Sequence, residues 1–262
     1  MRIGEGTRAF ITGPSRGIGR ALARALAAQG VTLGLAARSD GELRKLAADL
    51  PGEHEVLPVD VGDRAQVFEA VEHFAAGGLN LVIANAGIAH YGPFHDLDLD
   101  RAEQMTRVNW LGTLYTVKAA LPLLLGRGQG HIVIVSSGAG HRSFPSAAVY
   151  GATKAAQRGF GEALWHELSG SGVGLTMVYP GEVASSLHDH EKDTLPDWYR
   201  GGDRAAPAED LAAAVIRAID QDARSLHFPK AVRLLGALHG LSPKVADTVL
   251  RRLRGGSAAP RR

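Results

Sequence analysis

Seven short apolar runs alternate with amphipathic stretches along the 262-residue chain, and this alternation restricts the fold more than any single motif does. The runs occupy residues 8–11, 32–36, 55–59, 79–84, 131–135, 175–178 and 225–228, and each has the length and composition of a buried strand. Residues 17–29, 39–50, 64–76, 100–125, 148–169 and 207–222 lie between them and carry apolar residues at helical spacing. Strands that alternate with helices imply right-handed crossovers and a parallel sheet covered on both faces. The expected architecture is doubly wound α/β. No repeat or interdomain linker interrupts the pattern, so residues 1–254 read as one domain and 255–262 as a frayed basic tail. Residues 181–206 are the most irregular stretch, of a length usual for functional lids or disordered loops.

A 45% hydrophobic content is enough for a large core. The absence of cysteine excludes thiol chemistry and disulfides and is compatible with a cytoplasmic setting. The N-terminus lacks the apolar stretch of a signal peptide, and there is no run of 18 or more apolar residues. With a formal net charge of +2, wholesale nucleic-acid binding is not indicated. Lys244, Arg251, Arg252, Arg254, Arg261 and Arg262 nevertheless crowd the C-terminus, as a solvated tail or as a contact for an anionic surface.

After the first run comes Thr12-Gly13-Pro14-Ser15-Arg16-Gly17-Ile18-Gly19, followed at once by a helix. In that context glycines suit a phosphate-binding turn: Gly13 for a positive φ, Gly17 for close approach of a pyrophosphate and Gly19 for helix packing. About twenty residues further on, where an acid usually holds the adenosine ribose of NAD, the second strand ends in Ala36-Ala37-Arg38. Arg38, with Arg16 nearby, fits a 2′-phosphate and favours NADP(H) over NAD(H). Asp40 has a structural explanation, because Ser39 to Glu42 matches a capping box. Asp63 is the better cap for the helix at Arg64, which leaves Asp60 for an adenine amino group. Asn85-Ala86-Gly87 follows the fourth strand at the edge where open α/β sheets bind ligands, and it also suits a turn.

Tyr150 and Lys154 stand four residues apart, on one face of the expected helix. A cation beside a phenol lowers its pKa from about 10, which would make Tyr150 a workable proton donor and acceptor. Ser137 lies thirteen residues upstream, and Ser136 points to the opposite face of its strand.

Taken in order, Thr12-Gly13 with Gly17 and Gly19, Asp60, Asn85-Ala86-Gly87, Asn109, Ser137, Tyr150, Lys154 and Pro180-Gly181 with Ser185 resemble the compact branch of the short-chain dehydrogenase/reductase family. The resemblance covers residues 7 to about 228. It implies a seven-stranded parallel Rossmann sheet, hydride transfer at a nicotinamide, and a homodimer or homotetramer. It also implies a catalytic tetrad of Asn109, Ser137, Tyr150 and Lys154, in which Asn109 supports a proton-supplying water and Lys154 holds the nicotinamide ribose. The cofactor-binding set it implies is Gly13, Ser15, Arg16, Gly17, Ile18, Gly19, Arg38, Asp60, Val61, Asn85, Ala86, Gly87, Tyr150, Lys154, Pro180, Gly181, Val183 and Ser185. No metal is expected, since His188-Asp189-His190-Glu191 reads as a polar lid segment. Tyr91, Phe94, Phe144, Trp198 and Tyr199 could line an apolar substrate pocket or simply pack. Residues 229–254 continue a helical apolar spacing that could cap the site, rest on a membrane as a basic amphipathic helix or, the favoured reading, pack on a neighbouring subunit. The expected function is NADP(H)-dependent interconversion of a ketone or aldehyde with its alcohol. A nucleotide-binding regulator without turnover and a membrane-associated lipid-ketone reductase are the alternatives.

Overall fold

The structure, a computed structural model, describes residues 1–184 and 205–253. Seven strands form one wholly parallel sheet: β1 (Arg8–Thr12), β2 (Thr32–Ala37), β3 (Glu55–Pro58), β4 (Leu81–Ala84), β5 (Gly130–Val135), β6 (Val173–Pro180) and β7 (Ser225–Phe228). Their order is β3-β2-β1-β4-β5-β6-β7. The order reverses between β1 and β4, which opens a crevice at their carboxyl ends.

Alternate side chains enter opposite layers because a strand has a period of two. Ala9 and Ile11 of β1, with Leu81 and Ile83 of β4, join one core cluster with α1 (Gly17–Ala27), α2 (Asp40–Asp49) and α7 (Ala208–Asp220). Phe10, Val82 and Ala84 face the other layer, built on α3 (Arg64–Ala75), α5 (Gly112–Arg127) and α6 (Ala148–Glu167). Both sheet faces are therefore apolar, which explains why the strands read as continuous runs. Each fully buried Leu or Ile in these layers contributes about 1.5–3 kcal/mol.

The expected helix at 100–125 is longer and compound. A short α4 (Leu99–Met105) passes through one turn of π-helix at Thr106–Leu111 into α5. By length and composition the stretch Leu99–Arg127 could cross a bilayer, yet Val117, Ala120 and Leu124 are buried against the sheet as a core layer. The C-terminal spacing also resolves differently, into two helices, α8 (Ala231–Leu241) and α9 (Pro243–Leu253). The break falls at Ser242, which is extended, and at Pro243, which lacks the amide needed to continue α8. Between β6 and α7, Val183 and Ala206 form a parallel bridge.

Candidate active site

A cleft of about 1050 Å³ runs along the carboxyl ends of the strands. At one end is the turn after β1. Gly13 has φ +68°, and a Cβ on it would meet Ala86 Cα at 2.8 Å; a Cβ on Gly19 would lie 2.1 Å from the Gly13 carbonyl oxygen. Only glycine allows this approach of turn, helix and β4 loop. Thr12 ties the same parts together, its Oγ1 accepting from the Asn85 and Ala86 amides at 3.0 and 3.1 Å. Asn85 Nδ2 donates to the Thr12 and Gly13 carbonyls at 3.0 and 3.1 Å, so its carboxamide serves the turn. Helix α1 has no side-chain cap and no acid in its first turn. Its amides therefore face the cleft as an unneutralised anion site, the arrangement a pyrophosphate requires.

Beyond the turn the cleft is lined by Ser15, Arg16, Gly17 and Ile18, then by Arg38 after β2 and Asp60 and Val61 after β3. Asp40 is committed to Arg44 at 2.7 Å, and the Ser39 hydroxyl caps α2 by accepting from the Glu42 amide. Asp63 caps α3 through the Ala65 and Gln66 amides. Asp60 is not wholly free, because its Oδ1 accepts from the Gly62 amide at 2.9 Å. Glu42, which the sequence reading treated only as part of a cap, also lines the cleft. Its position one helical turn beyond Ser39 was a usable signal.

Ala86, Gly87, Ser137, Tyr150, Lys154, Pro180, Gly181 and Val183 line the other half. Ser137 and Tyr150 share a hydrogen bond, and Ser137 Oγ accepts from the Ala139 amide at 3.1 Å. Ser136 is instead structural, donating to the Lys154 carbonyl at 2.9 Å. Lys154 Nζ donates to the Val135 carbonyl at 3.1 Å and lies 5.9 Å from the centre of the Tyr150 ring.

Lys154 was expected to lower the phenol's pKa, but burial pushes the Tyr150 phenol up, opposed by the Ser137 hydrogen bond. The ammonium is directed at Val135, and burial pushes Lys154 itself down to about 7.

Asn109 sits in the π-turn. Its Oδ1 accepts from the Ile88 amide at 2.8 Å, and its Nδ2 donates to the Ile88 carbonyl at 2.9 Å and to Thr153 Oγ1 at 3.1 Å. The Asn109 carbonyl accepts from Thr113 Oγ1 at 2.8 Å and from Gln157 Nε2 at 2.9 Å. Every polar acceptor of Asn109 thus has a protein donor, and the residue anchors the loop that carries Gly87 beside Lys154. Thr153 and Gln157 were missed by the sequence reading. Their helical spacing from Tyr150 places both on its buried face.

Tyr91 and Phe144 join Tyr150 in an aromatic wall, with ring centroids about 6 Å apart. Phe94, 63% exposed, stands outside the cleft. Val232 of α8 lines the cleft and packs against Gly138 and Gly181. Ser185, His188 to Glu191, Trp198, Tyr199 and the 255–262 tail lie outside the described residues. Among the described residues no group of three or more His, Cys, Asp or Glu could hold a metal.

The family profile described as short chain dehydrogenase matches residues 7–195. The chain belongs to the short-chain dehydrogenase family. An uncharacterized oxidoreductase of Staphylococcus aureus strain MW2 is 34% identical over 217 residues, covering 81% of this chain and 90% of its own. A solved short-chain dehydrogenase/reductase from Burkholderia phymatum, in complex with NAD, is 26% identical with a TM-score of 0.84, covering 94% of this chain and 96% of that one. An alcohol dehydrogenase from Thermococcus sibiricus, complexed with 5-hydroxy-NADP, is 28% identical with a TM-score of 0.73, covering 85% and 95%. As a short-chain dehydrogenase the chain is an oxidoreductase with a nucleotide-binding Rossmann fold.

Proposed function

We propose that this short-chain dehydrogenase is an NADP(H)-dependent oxidoreductase that interconverts a ketone or aldehyde with its alcohol, with Tyr150 as the general acid and base. The observation that carries the reading is the hydrogen-bonded Ser137 and Tyr150 pair, set in the wall of a cleft whose other end is an uncapped helix N-terminus.

The turn from Gly13 to Gly19 would hold the pyrophosphate, Arg16 and Arg38 a 2′-phosphate, Asp60 and Val61 the adenine, and Gly87, Lys154, Pro180, Gly181, Val183 and Ser185 the nicotinamide half. The nicotinamide supplies or removes the hydride. In the reducing direction Tyr150 gives its hydroxyl proton to the developing alkoxide, and Ser137 holds that oxygen by hydrogen bonding. Lys154, brought to about 7 by burial, can exchange a proton near neutral pH. Asn109 acts through Ile88 and Gly87, by fixing the floor beside Lys154.

The neighbours carry both NAD and an NADP derivative, so the cofactor preference rests on this chain's own residues. Arg38 and Arg16 favour the 2′-phosphate, and Asp40 is spent on Arg44. Mixing the protein with NADPH and a panel of ketones and aldehydes tests the reaction. Turnover that survives Tyr150→Phe undiminished would overturn the mechanism.

A further inference from the structure

Residues 229–262 hold eight Lys and Arg residues and a single acid, Asp247. The whole chain has 29 basic and 27 acidic residues, so the first 228 positions keep 21 and 26. A body of net charge −5 therefore carries an end of net charge +7. Asp247 is itself bound to Arg142, in the loop after β5, which fastens α9 to the body and uses the segment's own negative charge.

The described part of this segment is the α8–α9 hairpin. Leu234 and Leu241, seven residues apart and so on one face of α8, are 73% and 86% exposed. Val245, on α9, is 48% exposed. Val232, two positions from Leu234 and hence on the opposite side, packs into the cleft wall, while Ala246 is fully buried. The hairpin is thus docked by one side and presents an apolar ridge on the other. Lys230, Arg233 and Lys244 are exposed beside that ridge.

We propose that the α8–α9 hairpin docks on an anionic lipid bilayer. Leu234, Leu241 and Val245 enter the boundary between headgroups and acyl chains, and Lys230, Arg233 and Lys244 lie against the lipid phosphates. Exposed leucines flanked by cations suit an interface with both a charged and an apolar phase. A nucleic acid would satisfy the cations and leave the leucines in water.

Co-sedimentation of the full chain with phosphatidylcholine vesicles, and with vesicles that also contain phosphatidylglycerol, tests this. Wild-type protein should partition into the anionic vesicles at least about tenfold better, and lose most of that preference near 1 M salt, where screening shortens to about 3 Å. Lys230→Gln and Arg233→Gln should each weaken partition about fivefold. The double variant Leu234→Asp and Leu241→Asp should lose binding while keeping its thermal midpoint, since both side chains are exposed. Equal partition into the two vesicle types overturns the proposal, as does wild-type binding by the leucine variant. A salt-sensitive complex with duplex DNA that the leucine variant retains, without vesicle binding, would reassign the cations to nucleic acid. A dimer that the leucine variant dissolves, without vesicle binding, would reassign the ridge to a second copy. Vesicle binding needs no turnover, so its failure and the failure of the proposed reaction are separate results.

Discussion

Asn109 grips Ile88 with both ends of its carboxamide, accepting from the amide at 2.8 Å and donating to the carbonyl at 2.9 Å. Asn109→Asp keeps the shape but replaces the donor with a buried anion facing a carbonyl. Stability should fall by roughly 1–3 kcal/mol or more, since a buried polar group is left unmatched. Turnover should fall further than stability explains. Urea unfolding and kcat, measured on the same preparations, check both.

Gln157 donates to the carbonyl of Asn109 and to Thr113 Oγ1, while its own Oε1 is buried without a partner. Gln157→Leu removes two hydrogen bonds and relieves one orphan acceptor, so its net cost should be only about 1 kcal/mol. Because Gln157 lies away from the cleft, its loss should lower kcat and leave KM nearly unchanged. A raised KM with intact kcat would contradict a positioning role.

Removing Arg38 should cost NADPH more than NADH. A charge-assisted contact with phosphate contributes roughly 1.5–3 kcal/mol. Arg38→Ala should therefore weaken NADPH binding at least about tenfold and alter NADH binding little. Fluorescence titration with both nucleotides decides it. Equal binding of the two by wild type, unchanged in the variant, would reassign Arg38 to solvent.

Gly19→Ala should disable the nucleotide end. Its Cβ would fall 2.1 Å from the Gly13 carbonyl, too close without displacing the turn. Nucleotide affinity should drop more than tenfold, with a lower thermal midpoint as the turn shifts. Wild-type affinity in this variant would show that the turn is not the pyrophosphate site.

His131 gives the protein an acid-sensitive stability far from the cleft. Burial pushes its imidazole down to about 4, opposed by Asp222. Its Nε2 meets Thr176 Oγ1 at 2.8 Å, and Thr176 in turn donates to the Ala223 carbonyl. The folded state thus binds fewer protons than the unfolded chain between about pH 6.5 and 4. The stabilisation is complete above pH 6.5 and is lost as pH falls to about 4, a change on the order of 3 kcal/mol. His131→Gln should flatten this slope in urea titrations. His227, also near 4, adds less because it is more open to solvent.

The inner strands were legible because they are buried on both faces and so cannot hide their apolar runs, whereas the edge strands β3 and β7 are only partly buried. The Ser137, Tyr150 and Lys154 grouping was legible through spacing along a strand and a helix. What the sequence concealed depended on direction rather than position. Nothing in Tyr150 to Lys154 shows that the ammonium turns to the Val135 carbonyl, because that acceptor belongs to a strand fixed only by tertiary packing. The π-turn at Asn109 is hidden for a similar reason, since one extra residue per turn leaves no mark on composition. The division of residues 229–254 into two helices could have been read from Pro243, had its missing amide outweighed the unbroken leucine spacing.

The place of Val232 in the cleft wall has a consequence for how the protein is made. The cleft runs from Gly13, near the start of the chain, to a side chain more than two hundred residues later, and β1 must pair with β4 across some seventy residues. Such pairings incur the entropy of closing long loops before packing rewards them. During synthesis the glycine turn leaves the ribosome early, but its wall is finished only when α8 emerges. A chain released before β7 would display β6 as an unpaired edge.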